Sequence, residues 1–260
     1  MEGWPGVRQL PGAKHHLTFS MLVYIPAADH HHAAPSQGLS SYFLFSFADY
    51  YDKHNVQLGP LRAFNDDSVG PQNGFPQHPH SELELVTLVL EGEVTHEDTL
   101  GNRTTTKAGE VQRLTAGTGV SHSEMNRQDK PLEFYQLWLV PSQKGLAPSY
   151  EQKDIDFLDG PANELIPLAT GQRVLEDVVY MNSNSTIYWA NLGAGKTITF
   201  KTFPLRFTFI YVRQGCLSCE GRELGPGDQL RAADRDVLAL TASKDAQFLL
   251  LDLPASEANY

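Results

Sequence analysis

The sequence predicts an all-β protein built as two tandem β-barrels, and three observations carry that prediction. Few segments show the 3.6-residue spacing of an amphipathic helix, whereas short β-rich runs alternate with turn residues along the chain. Glycine and proline number 21 and 16 of 260 residues, as many short strands joined by turns require. A pattern of strand, glycine, strand, turn, strand and glycine-acid also occurs twice, about 120 residues apart.

The expected strands are 42–47, 82–91, 133–140, 187–190, 197–203, 205–212, 237–241 and 247–253. The second half of 82–91 is apolar on both faces, which places that strand inside stacked sheets. The repeat reads Leu90-Glu-Gly-Glu-Val, Leu100-Gly-Asn-Arg and Ala108-Gly-Glu-Val in the first copy. In the second it reads Arg213-Gln-Gly-Cys-Leu, Glu220-Gly-Arg and Pro226-Gly-Asp-Gln. The turn formers of Pro141-Ser-Gln-Lys-Gly-Leu-Ala-Pro-Ser mark a linker, giving a first barrel over 1–140 and a second over 141–260.

Composition narrows the function. The net charge is −11 and the lysines and arginines are scattered, so no basic patch is present to bind nucleic acid directly. No apolar run approaches the ~20 residues that span a bilayer. Met1 to Lys14 lacks the apolar core of a signal peptide, and a cytoplasmic protein is expected. Cys216 and Cys219 have no second pair to complete a zinc site, and no helix start to make a redox motif, so they read as incidental thiols. All ten histidines lie between His15 and His122. Their chemistry therefore belongs to the first barrel, and the second is expected to be structural or a surface for a partner.

The main chemical signal is Gly74-Phe-Pro-Gln-His78-Pro-His80. Side chains alternate along a strand, so His78 and His80 share a face and can reach one ion. Pro79 suits the start of a strand, because it cannot donate to a ladder. The second piece is Ala116-Gly-Thr-Gly-Val-Ser-His122-Ser-Glu124, whose His122 and Glu124 also share a face. The intervening chain has room for a hairpin through Gly92 and Gly101 that joins the two pieces.

Three neutral imidazoles and one carboxylate leave one positive charge on a divalent ion, and suit Fe, Mn, Ni, Cu, Co or Zn in the absence of thiolate. Two open positions in an octahedral site would admit a substrate and dioxygen side by side. The plainer alternative is that these are buried strand histidines bonded to the backbone. Glu84 competes with Glu124 as the carboxylate, since continuous alternation puts Glu82 and Glu84 on the face of His78 and His80.

The stretch His78-Pro-His80-Ser-Glu-Leu-Glu-Leu-Val-Thr-Leu-Val-Leu-Glu-Gly-Glu, followed by His96-Glu-Asp-Thr-Leu-Gly-Asn-Arg103, resembles the pirin family of cupins. Ala108 to Met125, Phe45-Ser-Phe-Ala-Asp-Tyr-Tyr51, Gly59-Pro-Leu-Arg, Asn65-Asp-Asp67, Gln136-Leu-Trp-Leu-Val-Pro141 and Leu251-Asp-Leu-Pro254 extend the likeness. The resemblance implies a bicupin, two jelly-roll-like barrels. It also implies Fe(II) in the first, held by His78, His80, His122 and Glu124, and so favours Glu124 over Glu84. It further implies quercetin 2,3-dioxygenase activity on a flavonol, or a role as an iron-dependent regulator that binds a protein partner. Glu124 is then the candidate catalytic base as well as a ligand.

Three further signals are set aside. His30 to His32 read as a loop, because adjacent residues of an extended chain cannot all face one ion. His96 reads as a surface residue. Gly193-Ala-Gly-Lys-Thr197 resembles the end of a phosphate-binding loop, but Ala190 stands where its first glycine belongs, and a hairpin turn is expected. A zinc-dependent isomerase or hydrolase on the same ligands is the third functional reading, since fold does not fix function.

Overall fold

The computed structural model describes residues 21–172, 176–233 and 235–255; Met1 to Lys14, where no leader is expected, lies outside the described residues. The short β-rich runs become β1 (Met21–Ile25), β2 (His31–Ser36), β3 (Leu39–Phe43), β4 (Leu61–Val69), β5 (Gly74–His80), β6 (Glu84–Glu91) and β7 (Glu93–Asp98). Next come β8 (Arg103–Lys107), β9 (Glu110–Thr115), β10 (Val120–Met125), β11 (Leu132–Leu139), β12 (Ser149–Asp154), β13 (Leu165–Thr170) and β14 (Val179–Tyr180). The chain ends with β15 (Thr186–Leu192), β16 (Thr197–Lys201), β17 (Arg206–Cys219), β18 (Arg222–Leu224), β19 (Gln229–Ala233) and β20 (Val237–Pro254). Among the described residues the one helical piece is a 3-10 turn at Ala27–Asp29, and no helix is long and apolar enough to cross a membrane.

The duplication is visible in the sheets. The first half carries a seven-stranded sheet, β12-β9-β6-β11-β4-β3-β2, and a four-stranded sheet, β5-β10-β7-β8. The second half repeats the large sheet as β1-β19-β17-β20-β15-β13-β14. It repeats the small one by extending β17 and β20 to meet β18 and β16. The glycines of the two copies share one job. Gly92 and Gly215 have φ of 75° and 80°, Gly109 and Gly227 have 86° and 81°, each in the left-handed region. Strands do not stay within their half: β12 pairs with β9, whereas β1 pairs with β19. Each large sheet thus takes its outermost strand from chain that lies across the expected boundary at 140.

Strand parity decides what each sheet buries. On β6 every residue except Glu91 is buried, as a strand between β9 and β11 must be. Val86, Leu88 and Leu90 point to the core between the two halves, together with Phe64, Leu137, Trp189, Phe209 and Leu251. Leu85, Thr87 and Val89 point into the first barrel. The second barrel is filled by its own apolar cluster, including Ile198, Leu217, Leu238, Leu240 and Leu250.

Several expectations need correction. The runs 237–241 and 247–253 are one strand, β20, and 205–212 continues to Cys219; irregular pairing around Gly215 lets both bend from the large sheet into the small one. Gly193 to Thr197 is a turn but not a hairpin, because β15 and β16 pair with different stretches of β20 and not with each other. His31 and His32 open β2 and do not lie in a loop. Their rings part company as the extended chain requires: His31 stacks on Tyr50 at 4.2 Å, while His32 Nε2 meets Ser40 Oγ at 2.9 Å.

A Cβ on Gly215 would fall 1.9 Å from the Asp245 carbonyl oxygen. The left-handed φ alone costs about 1–3 kcal/mol for a non-glycine residue. Gly215→Ala is therefore expected to lower unfolding stability by at least that amount in urea denaturation. A change below about 0.5 kcal/mol, the range of an ordinary surface substitution, would contradict the role given to this bend.

Candidate metal centre

The centre is assembled by β10, which lies between β5 and β7. On one side His122 sits directly across from His78, and on the other side Glu124 sits across from His96. The pairing of β10 with β5 slips between His122 and Glu124, so the two residues do not project identically toward β5. Pro79 is accommodated near the end of β5, not at its start, with its neighbours His78 and His80 closing the strand. Gly117 (φ 47°) permits the entry to β10, since a Cβ there would lie 2.1 Å from the Leu146 carbonyl oxygen.

His78, His80 and His122 form one compact group, with ring centroids 4.6–5.0 Å apart. Each offers a nitrogen within 4.8 Å of the others. Glu124 falls in a second group with His96 and His122, under the same distance limit. The expected four residues are thus neighbours, linked through His122, and together they make a His/His/His/Glu set that could bind a metal ion.

The donor set fits such an ion. His78 is half-buried and its Nδ1 lies 2.8 Å from the Pro76 carbonyl oxygen, which leaves Nε2 for other use. His80 Nε2 and His122 Nε2 are buried and have no hydrogen-bond partner. An orphaned polar atom in a protein interior is costly, and a metal would satisfy both. Burial, then the neighbouring His122 and His78, holds the His80 imidazole down to about 4. Burial, then His78 and His96, holds His122 down to about 3. Both rings are neutral near pH 7, as a metal-binding imidazole must be.

Glu124 is buried and held from three sides. Gln112 Nε2 donates to its Oε1 at 2.9 Å, Thr87 Oγ1 donates to the same atom at 3.4 Å, and Gln136 Nε2 donates to Oε2 at 2.6 Å. The network continues outward. Gln136 Oε1 accepts from Trp138 Nε1 at 2.8 Å, and Gln112 Oε1 accepts from Thr106 Oγ1 and the Tyr150 hydroxyl at 2.7 and 3.1 Å. Trp138 stands edge-on to His80, with centroids 4.7 Å apart, and Phe47 stands edge-on to Trp138. Sequence reasoning missed these supporting residues. Gln136 did carry a signal, lying within the mostly apolar run Phe134 to Leu139, whereas Gln112 sits among other polar residues of β9 and carried none.

Two expectations are overturned. Glu84 does not join the centre, because the alternation from His80 is broken by a turn at Glu82, whose φ is 54°. Glu84 faces the other half, where its carboxylate accepts hydrogen bonds from Thr115 Oγ1, Asn182 N and Asn182 Nδ2. His96 is not a surface residue. It is fully buried, its Nε2 lies 2.9 Å from Asp98 Oδ2, and its ring stacks on Tyr150. Its signal was the pair His96-x-Asp98, a histidine and a carboxylate on one strand face as at His122-x-Glu124. Cys216 and Cys219 are free thiols, and burial pushes Cys219 up to about 12.

Residues 27–139 match the pirin family model, and residues 171–253 match the model of the quercetinase C-terminal cupin domain. A pirin-like protein of Caulobacter vibrioides is 36% identical over 208 residues, covering 80% of this chain and 89% of that protein. This chain belongs to the pirin family. Within that family it is also 34% identical to a quercetin 2,3-dioxygenase of Escherichia coli, over 90% of this chain and 99% of the relative. The crystal structure of the Escherichia coli pirin YhhW in complex with nickel(II) superimposes with a TM-score of 0.84 at 31% identity, covering 90% and 99% of the two chains.

Two barrels are present, and among the described residues the buried imidazoles and the glutamines that hold Glu124 lie in the first. Strands β16, β17 and β20 in the second barrel carry Ile198, Leu217, Cys219, Leu238, Leu240 and Ala242 into a closed apolar cluster.

The depressed imidazoles give a pH prediction for the metal-free protein. An unfolded histidine protonates near 6.5. His80 and His122 do so only near 4 and 3 when folded. Between those values the unfolded chain binds more protons, so each ring contributes a loss of stability as pH falls from 6.5 toward its folded pKa. Burial of Asp66 and Asp67, raised to about 6 and 7, works in the opposite direction between about 4 and 7. The cleaner measurement is therefore residue by residue. The ring resonances of His80 and His122 are expected to stay flat from pH 7.5 to 5 in an NMR titration. A midpoint near 6.5 for either ring would refute the burial argument.

Proposed function

We propose that the protein is a metal-dependent dioxygenase that opens the ring of quercetin or a related flavonol with O2. His78, His80, His122 and Glu124 would hold one divalent ion, with Fe(II) our first choice among Fe, Mn, Co, Ni, Cu and Zn. The observation that carries this reading is the pair of buried, unpartnered Nε2 atoms on His80 and His122 beside half-buried His78. The nickel(II) complex of the Escherichia coli pirin supports a divalent ion, and the names of the curated relatives support the reaction class.

An ion bound there supplies Lewis acidity toward an enolate oxygen and a redox route to dioxygen. The remaining work falls to the chain. Glu124 accepts the flavonol hydroxyl proton through a lone pair left on Oε1 or Oε2, each oxygen already bearing an amide donor. Those donors, Gln112 and Gln136, keep the carboxylate from rotating away. Trp138 and Phe47 form an aromatic wall beside His80, suited to a flat polyphenol. Burial of His80, His122 and Glu124 limits water at the reacting end.

The decisive experiment is oxygen uptake with quercetin by protein purified anaerobically and loaded with Fe(II), beside a His78→Ala control. Metal-dependent uptake with carbon monoxide release, lost in the control, is expected. Absence of uptake by protein proven to hold one iron would overturn the dioxygenase reading in favour of an iron-sensing regulator. In the same assay Glu124→Gln is expected to lower turnover by about 10²–10⁴-fold, the range of a lost general base. Its metal content must be measured alongside, since Glu124 is also a proposed ligand.

A further inference from the structure

His96 and Asp98 lie behind the proposed ligands and have no part in the reaction outlined above. Both are on β7, and both side chains are fully buried. The Asp98 carboxylate is saturated with donors. Its Oδ1 accepts from Leu100 N at 2.9 Å and Asn102 N at 3.0 Å, and its Oδ2 accepts from Asn102 Nδ2 at 2.8 Å. His96 Nε2 completes the set at 2.9 Å from Oδ2. Burial by itself would raise the Asp98 carboxyl, but the hydrogen bonds from Asn102 and His96 hold it below its ordinary value. An ionised carboxylate can only accept, so His96 must carry a proton on Nε2.

The other end of the His96 ring faces His122. The two Nδ1 atoms lie 3.5 Å apart, at the long end of hydrogen-bonding distance. With a single ring proton, held on Nε2 by Asp98, His96 presents Nδ1 as a bare acceptor. The matching donor is a proton on His122 Nδ1, which leaves the lone pair of His122 on Nε2. That is the atom found buried and unpartnered beside His78 and His80. Tyr150, stacked on His96 at 4.7 Å, fixes the plane of the relaying ring.

We propose that Asp98 and His96 are positioning residues: through two successive hydrogen bonds they place the proton of His122 on Nδ1 and bare its Nε2 for the metal. The inference rests on the reading of His122 as a ligand. It extends the familiar pairing of a ligand histidine with one carboxylate to a relay through a second histidine.

Asp98→Asn tests the relay with almost no change of shape. The two backbone N–H groups require the amide oxygen at the Oδ1 position, so the new NH2 faces His96 Nε2 and also Asn102, whose side-chain amide must turn its oxygen toward it. His96 must then move its proton to Nδ1, and His122 must move its own to Nε2, where it blocks the ion. We expect nickel(II) affinity, measured by competition with a chelator, to fall about 10–100-fold, the usual effect of losing an outer partner. His96→Phe should lose affinity similarly, and His96→Gln, which can present an amide oxygen to His122, should recover part of it.

The metal-free wild-type protein supplies a readout that needs neither a variant to fold nor an active enzyme. Nitrogen-15 spectra of its imidazoles should show His96 protonated on Nε2 and His122 on Nδ1. His122 found protonated on Nε2 overturns the proposal, and is the state required by an ion seated between the two Nδ1 atoms. Nickel affinity of a folded Asp98→Asn within twofold of wild type overturns it as well. Failure of wild-type protein to bind nickel would instead count against the ligand assignment, while the spectra still decide the relay.

Discussion

Two large sheets packed face to face are the constraint on which the rest of the molecule depends. Alternate residues of β4, β6 and β11 in the first half meet those of β15, β17 and β20 in the second, and the largest apolar cluster lies between the halves. Leu61, Phe64, Val86, Leu88, Trp189, Phe209 and Leu251 in that layer are essentially inaccessible to solvent. At roughly 1.5–3 kcal/mol for each large side chain removed from water, this layer dominates the burial available to either sheet. The first barrel therefore need not be an oily core of its own.

The interior of that barrel shows what this freedom permits. The faces of β4, β6, β9 and β11 turned away from the shared core place Asn65, Asp67, Thr87, Gln112 and Gln136 in buried positions. Asp67 is paired with the Ser41 hydroxyl, and its carboxyl is pushed up to about 7 by burial. Buried polar groups of this kind are tolerated only when their partners are supplied, and here most are. The equivalent space in the second barrel is closed by leucine, isoleucine and alanine. Two copies of one architecture thus diverge by the choice of inward-facing residue, while both contribute to the apolar layer between the halves.

Much of this was legible in the sequence, and the parts that were not have identifiable causes. The strand, glycine, strand pattern marked the duplication because Gly92 and Gly215 occupy the same left-handed bend, which tolerates little else. The spacings of His78-x-His80 and His122-x-Glu124 survive as neighbours because two-residue periodicity is a property of any strand. Parity failed where the chain left the strand: Glu82, in a positive-φ turn, reset the alternation and sent Glu84 to the opposite side. Polarity misled at His96, because its charged neighbour Asp98 is itself buried and takes its donors from Leu100 and Asn102 in the turn that follows β7. Tyr150 could not have been assigned by local pattern, since it arrives on β12 from beyond the apparent linker.

That arrival has a meaning for how such a protein can be built and divided. β12 closes the large sheet of the first half and β1 closes that of the second, each edge covered by chain from across the divide. Cutting the gene at the linker would give two fragments, each carrying the other's cover and lacking its own. The bared edges of β9 and β19 would then offer open rows of N–H and C=O groups, the usual templates for intermolecular pairing. The reciprocal exchange makes the two barrels obligate companions: an ancestral doubling of one barrel, once its edges had been traded, could no longer be undone by simple fission.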